Sequence, residues 1–381
     1  MPVRVEYVKR FYFDHNAATP VSPEVLEAIM PVMTEVYGNA SSIHHFGQTA
    51  RARLDGARWQ VAALLGATAE EIVFTSGGTE SDNLAVLGVG GHVVTTTIEH
   101  PAVLGAAARV DSVTHVEVDR RGVVDPADIR RALRPETRLI SVMHANNELG
   151  TVQPLAEVAE IARQARVAFH SDGVQAAGRI PVNVKDLGVT LYSLSGHKFG
   201  APKGVGALFV KKGTRLNAMI YGGHHERDRR AGTENVPGAV GLGRAAEWFL
   251  QNGAAEAARI EKLRNRLESG VIDRIPGVHI NGAGASRVPN TSNLRFEGID
   301  SEPLLIALDL RGFAVSSGSA CSSGASEPSH VLAAIGSSKE QSRSSLRVSL
   351  GRGNDAEQVD ALVDAMCECV AHLRKLAPVY A

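Results

Sequence analysis

The sequence predicts an α/β protein with a large domain built on a mostly parallel β-sheet, followed by a smaller α+β domain. Two observations carry this prediction. Short β-rich runs alternate with helical stretches between residues 71 and 210, and the pattern changes after Val236. Such alternation is typical of parallel sheets covered by helices on both faces, which bind ligands at the carboxyl ends of their strands. A chain of 381 residues is long enough for two domains with sizeable cores.

Strands of the large domain are expected where short β-rich runs are bounded by turn residues. These runs are residues 71–75, 92–97, 114–119, 138–145, 168–172, 190–193 and 205–210. Helices between them are expected at residues 80–87, 101–108, 126–133 and 155–166.

A long helix is predicted to begin at Pro237 and to run to about Leu267, because proline is favoured in a first turn and apolar residues recur every three or four positions. After it we expect strands at residues 278–280, 292–295, 313–315 and 346–349, and helices at 302–310 and 355–376. We place the domain boundary within the long helix. Residues 15–255 would form the large domain, and residues 1–14 with 256–381 the small one.

The composition argues against several classes of protein. Forty basic and 41 acidic residues give a net charge of −1, so no overall field attracts nucleic acid or an anionic membrane. Three cysteines are too few for a disulfide framework, and Cys367 and Cys369 lack the spacing of a zinc site. No apolar run approaches the length of a membrane span, and no signal-peptide pattern is present. We therefore expect a cytoplasmic protein without metal, nucleic-acid or membrane partners.

Lys198 is the first candidate functional residue. It follows a predicted strand in a glycine-rich, partly apolar turn, between His197 and Phe199. Such a site is expected to desolvate the amine and lower its pKa, which prepares a lysine to form Schiff bases. Lys203 is the alternative in the same loop, and a lone lysine is most often a solvated surface group.

Asp172 and a glycine turn point to the same edge of the sheet. Asp172 ends a predicted strand, 26 residues before Lys198, and a carboxylate there can pair with the ring nitrogen of pyridoxal phosphate (PLP). Taken alone, Asp172 is more typical of a helix N-cap. The segment Phe74-Thr-Ser-Gly-Gly-Thr-Glu80 leads from a strand into a helix start, where backbone N–H groups favour an anion. An ordinary capped turn is the alternative reading of that segment.

Several short motifs follow one another in a fixed order along nearly the whole chain. They are Asp14-His-Asn-Ala-Ala-Thr-Pro20, Ser76-Gly-Gly-Thr-Glu80, Glu99-His100, Asn146-Asn147-Glu148, Asp172 with Gln175, Ser195-Gly-His-Lys198, Arg230-Ala-Gly-Thr-Glu-Asn235, Ser316-Ser-Gly-Ser-Ala-Cys321 and Leu346-Arg-Val-Ser-Leu-Gly-Arg352. In this order they resemble the cysteine desulfurases of the NifS/IscS type. These are PLP enzymes of the aminotransferase fold (fold type I), and a relative would use PLP as cofactor and L-cysteine as substrate.

The resemblance assigns cofactor-binding roles to the matching residues. Lys198 would bind PLP as a Schiff base and act as the base at the substrate Cα. Asp172 would pair with the ring nitrogen, and His100 would stack on the ring and transfer protons. The ring hydroxyl and the phosphate would be bound by a further set of groups, namely Gln175, Asn147, Gly78, Thr79, Ser195 and His197. Thr233 would reach the phosphate of the other subunit, which implies a homodimer with shared active sites.

Cys321 decides which reaction the resemblance implies. It stands in a segment rich in serine and glycine, where an accessible nucleophilic thiol is expected. The thiol would take sulfur from L-cysteine as a persulfide, leave L-alanine, and pass the sulfur to an acceptor protein in iron–sulfur cluster assembly or another thiolation pathway. Arg347 would bind the substrate carboxylate, with Arg352 the weaker candidate. His224 departs from the family pattern, which has a glycine at that position.

Three other functions stay open at this point. A selenocysteine lyase and another fold type I aminotransferase are the enzymatic alternatives, although an ordinary aminotransferase has no need of Cys321. A non-catalytic sulfur carrier or scaffold is the alternative of another class, and the presence of Lys198, Asp172 and His100 argues against it.

Overall fold

A computed structural model of the chain describes residues 9–317 and 329–376. Its strands are β1 (Phe11–Tyr12), β2 (Ile72–Thr75), β3 (His92–Thr96), β4 (Ser112–Val116), β5 (Thr137–Ser141), β6 (Ala168–Asp172), β7 (Leu191–Ser195), β8 (Gly206–Val210), β9 (Val278–Ile280), β10 (Thr291–Phe296), β11 (Phe313–Ala314) and β12 (Ser345–Ser349). Its helices are α1 (Pro23–Thr34), α2 (His45–Leu65), α3 (Gly78–Val89), α4 (Pro101–Ala107), α5 (Pro126–Ala132), α6 (Leu155–Ala165), α7 (Val236–Arg274), α8 (Ser301–Leu310), α9 (His330–Ala334), α10 (Lys339–Arg343) and α11 (Ala356–Leu376).

The central sheet has the strand order β2-β8-β7-β6-β5-β3-β4 among the described residues. Strands β4, β3, β5, β6 and β7 are mutually parallel, and β8 runs antiparallel to both of its neighbours. The predicted α/β class with a mostly parallel sheet is confirmed. Because Asp172 and Ser195 end the adjacent strands β6 and β7, both lie at the carboxyl edge of the sheet, where such folds bind ligands.

Two helical regions differ from the sequence prediction. Helix α3 begins at Gly78 rather than at residue 80, so the N–H groups of Gly78 and Thr79 belong to its first turn. The sequence analysis places no helix between residues 20 and 66, where the structure has α1 and α2. Small residues such as Gly47, Ala50 and Ala57 form much of the buried face of α2, and they give a weak apolar pattern.

Helix α7 joins two apolar cores. Its first half packs Leu242 and Ala246 into the core of the large sheet. Its second half packs Ile260 and Leu267 into another core, together with residues of β10, β12, α8 and α11. Strand β1 pairs with β11 and so ties the N-terminal segment to this second core. These contacts agree with a boundary inside α7, and the division between residues 255 and 256 stays a prediction.

A smaller antiparallel sheet with the order β12-β10-β9 carries Arg347 at the centre of its outer strand β12. Arg347 pairs with Asn293 on β10, and its backbone also exchanges hydrogen bonds with Ser316. The segment that follows Ser316 includes Cys321, which lies outside the described residues. Across both described ranges, no helix has the length and apolar character needed to cross a bilayer.

Candidate active site

Lys198 lies at the end of β7, in a single helical turn over Gly196–Lys198. Its Nζ donates hydrogen bonds to the backbone oxygens of Asn16 (2.6 Å) and Ala17 (3.0 Å). The side chain is half-buried, whereas Lys203 is exposed. The structure therefore favours Lys198 over Lys203 as the reactive amine.

Asp172 lies at the end of β6, the strand next to β7, close enough for Lys198 to act on its charge, and it is 5% exposed. Its Oδ1 accepts a hydrogen bond from the backbone N–H of Val174 (2.9 Å). Burial raises the pKa of Asp172, and its interactions with His100, the Val174 N–H and Lys198 partly offset that effect. The residue closes a turn rather than capping a helix, because the chain after it forms turns up to residue 179.

The N-terminus of α3 forms an open cradle next to these two residues. The first N–H groups of a helix have no partners within the helix, and here no side chain caps them either. A Cβ at position 78 would lie 2.7 Å from Val174 Cγ2, so only glycine leaves space at the start of this helix. Ser195 Oγ and His197 Nδ1 lie 3.0 Å apart, and burial lowers the pKa of His197 to about 4. An uncapped helix start of this kind favours a phosphate.

His100 caps the N-terminus of α4. Its Nδ1 accepts a hydrogen bond from the N–H of Ala102 (3.1 Å), so Nε2 carries the proton of the neutral ring. Burial lowers the pKa of His100; Asp172 raises it, and the positive charge of Lys198 lowers it further. His100, Lys198 and Asp172 are thus close enough to influence one another, as the sequence predicts.

Asn16 connects the remaining predicted residues, and sequence reasoning gave it no role. Its backbone oxygen accepts from Lys198 and from Gln175 Nε2 (3.1 Å). Its side-chain amide donates to the backbone oxygen of Asn147 (3.0 Å). Gln175 and Asn147 therefore adjoin the lysine, although here they contact the Asn16 segment. The motif containing Asn16 was noticed, but its main contribution is a backbone oxygen, which residue type does not reveal.

Arg347, on the smaller sheet, extends its guanidinium to the Asn147 backbone beside Asn16. Its Nη1 donates to the backbone oxygen of Asn147 (3.1 Å), and its Nη2 contacts Asp14 Oδ1 at 2.7 Å. Arg352 is engaged elsewhere, since its guanidinium lies 3.6 Å from the ring centre of Trp248 and pairs with Glu24. The structure therefore favours Arg347 as the guanidinium of the site.

Other predicted residues lie apart from this group. Thr233 is exposed on the loop before α7, a position that leaves it accessible to another subunit. Cys369 packs in the second core, and Cys367 packs against that core. The side chain of His224 is exposed and pairs with Asp228.

Sequence reasoning also gave no role to a set of buried polar residues near the site, although two of them, Glu99 and Glu148, stand in the motifs quoted above. They are Asp82 on α3, Glu99 before His100, Glu148 and His170. Each of them is a polar residue in or beside an element whose other positions are largely buried. A polar residue in such a place is uncommon, and this could have marked all four as candidates.

Together the fold and these groups define a PLP enzyme of fold type I. The amine of Lys198 can hold the aldehyde carbon, and Asp172 can face the ring nitrogen. The uncapped start of α3, with Ser195 and His197, can take the phosphate. The residues present therefore fit the cofactor.

Comparisons with known proteins agree with this class. The model of the class-V aminotransferases matches residues 11–362. Cysteine desulfurase IscS of Methanosarcina thermophila is 47% identical over 97% of this chain and 94% of its own length. A solved NifS-like protein superposes with a TM-score of 0.89 at 37% identity, covering 96% of this chain and 100% of that one. SspA, solved in complex with cysteine, has a TM-score of 0.81 at 34% identity, covering 89% of this chain and 98% of its own.

The chain belongs to the class-V aminotransferase family and, within it, to the cysteine desulfurases of the NifS/IscS type. It is accordingly a PLP-dependent enzyme.

Proposed function

We propose that this protein removes the sulfur of L-cysteine, stores it on Cys321 as a persulfide and releases L-alanine. One observation carries the proposal: hydrogen bonds link Lys198 to Asn16, Asn16 to Asn147, and Asn147 to Arg347. A reactive amine and a guanidinium that can bind a carboxylate are thus linked through the same short segment. An amino-acid substrate needs both groups, one for its Cα chemistry and one for its carboxylate. The relatives named cysteine desulfurase, and the neighbour solved with cysteine, support the same substrate.

Each residue of the site has a proposed task. When bound, PLP withdraws electrons from the substrate Cα and makes its proton acidic. Lys198 Nζ would hold the cofactor and take that proton, and Asp172 would keep its negative charge for the ring nitrogen. His100 would transfer protons through its Nε2–H, while Gln175 and Asn147 would bind the ring hydroxyl. The phosphate would be held by Gly78, Thr79, Ser195 and His197.

Arg347 is proposed to bind the substrate carboxylate. Its guanidinium is 3% exposed and already pairs with one carboxylate, that of Asp14. An incoming carboxylate would exchange with Asp14 or share the planar, bidentate donor set of the arginine. The Cα of an amino acid bound in this way would lie between Arg347 and Lys198.

Cys321 completes the proposed reaction. Its thiolate forms an S–S bond to the substrate sulfur while the C–S bond of the substrate breaks. The electron pair of the broken bond stays with the carbon skeleton, which takes up a proton and leaves as L-alanine. A thiol of ordinary pKa is only partly ionised at neutral pH, so the step needs a base or a lowered thiol pKa. We further propose a cytoplasmic location, and transfer of the persulfide to an acceptor protein of iron–sulfur assembly or another thiolation pathway.

The decisive experiment follows alanine and sulfur together. The wild-type protein reconstituted with PLP should absorb visible light and convert L-cysteine to alanine. Cys321→Ser should keep the absorption but form no protein-bound persulfide, while the matched control Cys367→Ser should behave as wild type. Persulfide formation by Cys321→Ser would contradict the proposal. Faster turnover of selenocysteine than of cysteine, without dependence on Cys321, would indicate a selenocysteine lyase instead.

A homodimer is proposed from the exposed apolar side chains of α1, α2 and two loops. Large apolar side chains are exposed on α1 (Met33, 62%), just after it (Tyr37, 72%), on α2 (Trp59, 64%) and on the loop before α7 (Tyr221, 85%). We propose that they contribute to one apolar surface, which is typical of an interface. A second copy covering this surface would also bring Thr233 toward the phosphate site of its partner.

Sedimentation of the wild type and two variants tests the dimer. Trp59→Glu places a charge on the proposed interface and should shift the protein toward monomer. Leu310→Glu places the same charge on an exposed leucine of α8 (73% exposed) and should leave the dimer intact. A monomeric wild type, or equal behaviour of the two variants, would refute this interface.

A further inference from the structure

A cluster of buried carboxyl groups lies beneath Asp172 and is not used by the proposed reaction. Asp82 is on α3, one turn after Gly78, and is 1% exposed. Glu99 directly precedes His100 and is fully buried. The charge of Asp172 acts on both of these carboxyls. Helix α3, whose N-terminus forms the proposed phosphate site, therefore also carries the buried carboxyl of Asp82 close to Asp172.

Asp82 has few hydrogen-bond partners. Its Oδ1 accepts none among the described residues and lies 3.6 Å from His170 Nε2. His170 is itself held on both sides, by Ser141 Oγ at its Nδ1 (2.8 Å) and by Ser193 Oγ at its Nε2 (3.0 Å). The Ser193 hydroxyl also acts on the carboxyl of Asp82. A buried carboxylate without donors is far more costly than a buried carboxylic acid.

The surrounding charges decide which carboxyl is ionised. Asp172 is near the cation of Lys198 and the ring of His100, and it receives the Val174 N–H. Asp82 has the Ser193 hydroxyl, the neutral ring of His170 and two other carboxyls around it. Two carboxylates that share a buried site cannot both ionise easily. Burial and the charge of Asp172 raise the pKa of Asp82 well above its usual range, and burial raises the pKa of Glu99 to about 8.

We propose that Asp82 is a positioning residue that keeps its proton beneath Asp172, so that Asp172 is the only anion of the buried cluster. The Asp82 hydroxyl supports the hydrogen-bond chain of Ser193, His170 and Ser141. In this chain Ser193 donates to His170 Nε2, and Nδ1–H donates to Ser141. The neutral chain stabilises the charge of Asp172, which faces the ring nitrogen of the cofactor.

The inference rests on the proposed role of Asp172. Its test measures the absorption of the bound cofactor rather than the rate of turnover. The visible absorption of the PLP-loaded protein is titrated against pH. Asp82→Asn keeps a neutral donor and should titrate as the wild type does. Asp82→Ala removes the donor, and Ser193→Ala breaks the same chain from the other side; each should shift the titration midpoint by about 0.5 unit or more. Asp55→Asn, at an exposed carboxylate, is the matched control.

The outcomes separate the possibilities. A shift in both Asp82→Ala and Ser193→Ala, with none in Asp82→Asn, supports a proton-bearing Asp82. A shift in Asp82→Asn as well means that a negative charge was removed and overturns the proposal. An unshifted midpoint in either alanine variant means that the chain through Asp82 and Ser193 does not position Asp172, which also overturns it. A wild-type protein that shows no visible absorption with PLP would instead refute the proposed cofactor site.

Discussion

Asp172 and Lys198 influence each other across one edge of the sheet. Burial raises the pKa of Asp172, and the nearby cations partly restore its ionised form. In a site with little water, a charge placed this way stabilises a developing charge more strongly than it would in bulk solvent. The value of Asp172 to the reaction therefore lies in its negative charge, which an isosteric amide lacks.

Asp172→Asn should lower kcat for L-cysteine by about 10²- to 10³-fold, the range of single electrostatic contributions to catalysis. Lys198 is unchanged in this variant, so the cofactor should still bind through its amine and absorb visible light. Steady-state alanine release and the absorption spectrum check the two statements separately. Turnover within about twofold of wild type would show that the charge of Asp172 is dispensable.

The sequence was sufficient to single out Lys198 and Asp172, because each is a reactive residue at the end of a predicted strand, whereas His100 was assigned from the family resemblance. It was not sufficient for Asn16, which acts through its backbone oxygen. Asp82 also escaped notice, since its neighbourhood forms only when α3 packs on the sheet beside β6 and β7.

Helix α3 combines two tasks in its first two turns. Its uncapped start provides N–H groups for an anion, and Asp82 follows one turn later. Both tasks need the helix to approach the sheet closely, and a Cβ at position 78 would come within 2.7 Å of Val174 and 3.5 Å of Ser195. The missing side chain of Gly78 therefore sets the distance between the cradle and the strand ends.

Gly78→Ala should weaken PLP binding by roughly 5- to 100-fold, which corresponds to an overpacking cost of about 1–3 kcal/mol. Titration of the apoprotein with PLP measures this directly. Gly105→Ala is the matched control, because a Cβ there meets nothing within 4 Å and alanine favours the helix. Equal PLP affinity in the two variants would mean that the cradle tolerates a side chain.

Elements were predicted best where apolar runs are short and strongly bounded, as in β3, β6 and β8. The start of α3 was placed two residues late, because Gly78 and Thr79 are poor helix formers that nevertheless occupy its first turn. Helix α2 escaped because alanine and glycine give little contrast between its faces, and its packing against α7 is a long-range contact.

The protein buries both histidines and carboxyl groups, and burial favours the neutral form of each. Burial lowers the pKa of His15 and His144 to about 4 and that of His170 to about 3. The buried carboxyl of Glu99 has a raised pKa of about 8. A histidine of this kind stabilises the fold above its unfolded pKa and loses that contribution as the pH falls, whereas a carboxyl with a raised pKa loses its contribution as the pH rises. The two sets therefore oppose each other in mildly acidic solution, and a single substitution is needed to isolate one of them.

His144 offers that substitution, since its ring is buried and bonds only to Tyr192 Oη among the described side chains (2.8 Å). The wild type should lose about 1.4 kcal/mol more unfolding free energy per pH unit than His144→Gln as the pH falls from 6.5 toward 4, because only the wild type must bind this proton on unfolding. Urea denaturation of both proteins at a series of pH values measures the difference in slope. His115→Gln, at an exposed histidine, should leave the wild-type slope unchanged. Parallel pH profiles for wild type and His144→Gln would mean that His144 titrates alike in the folded and unfolded chain.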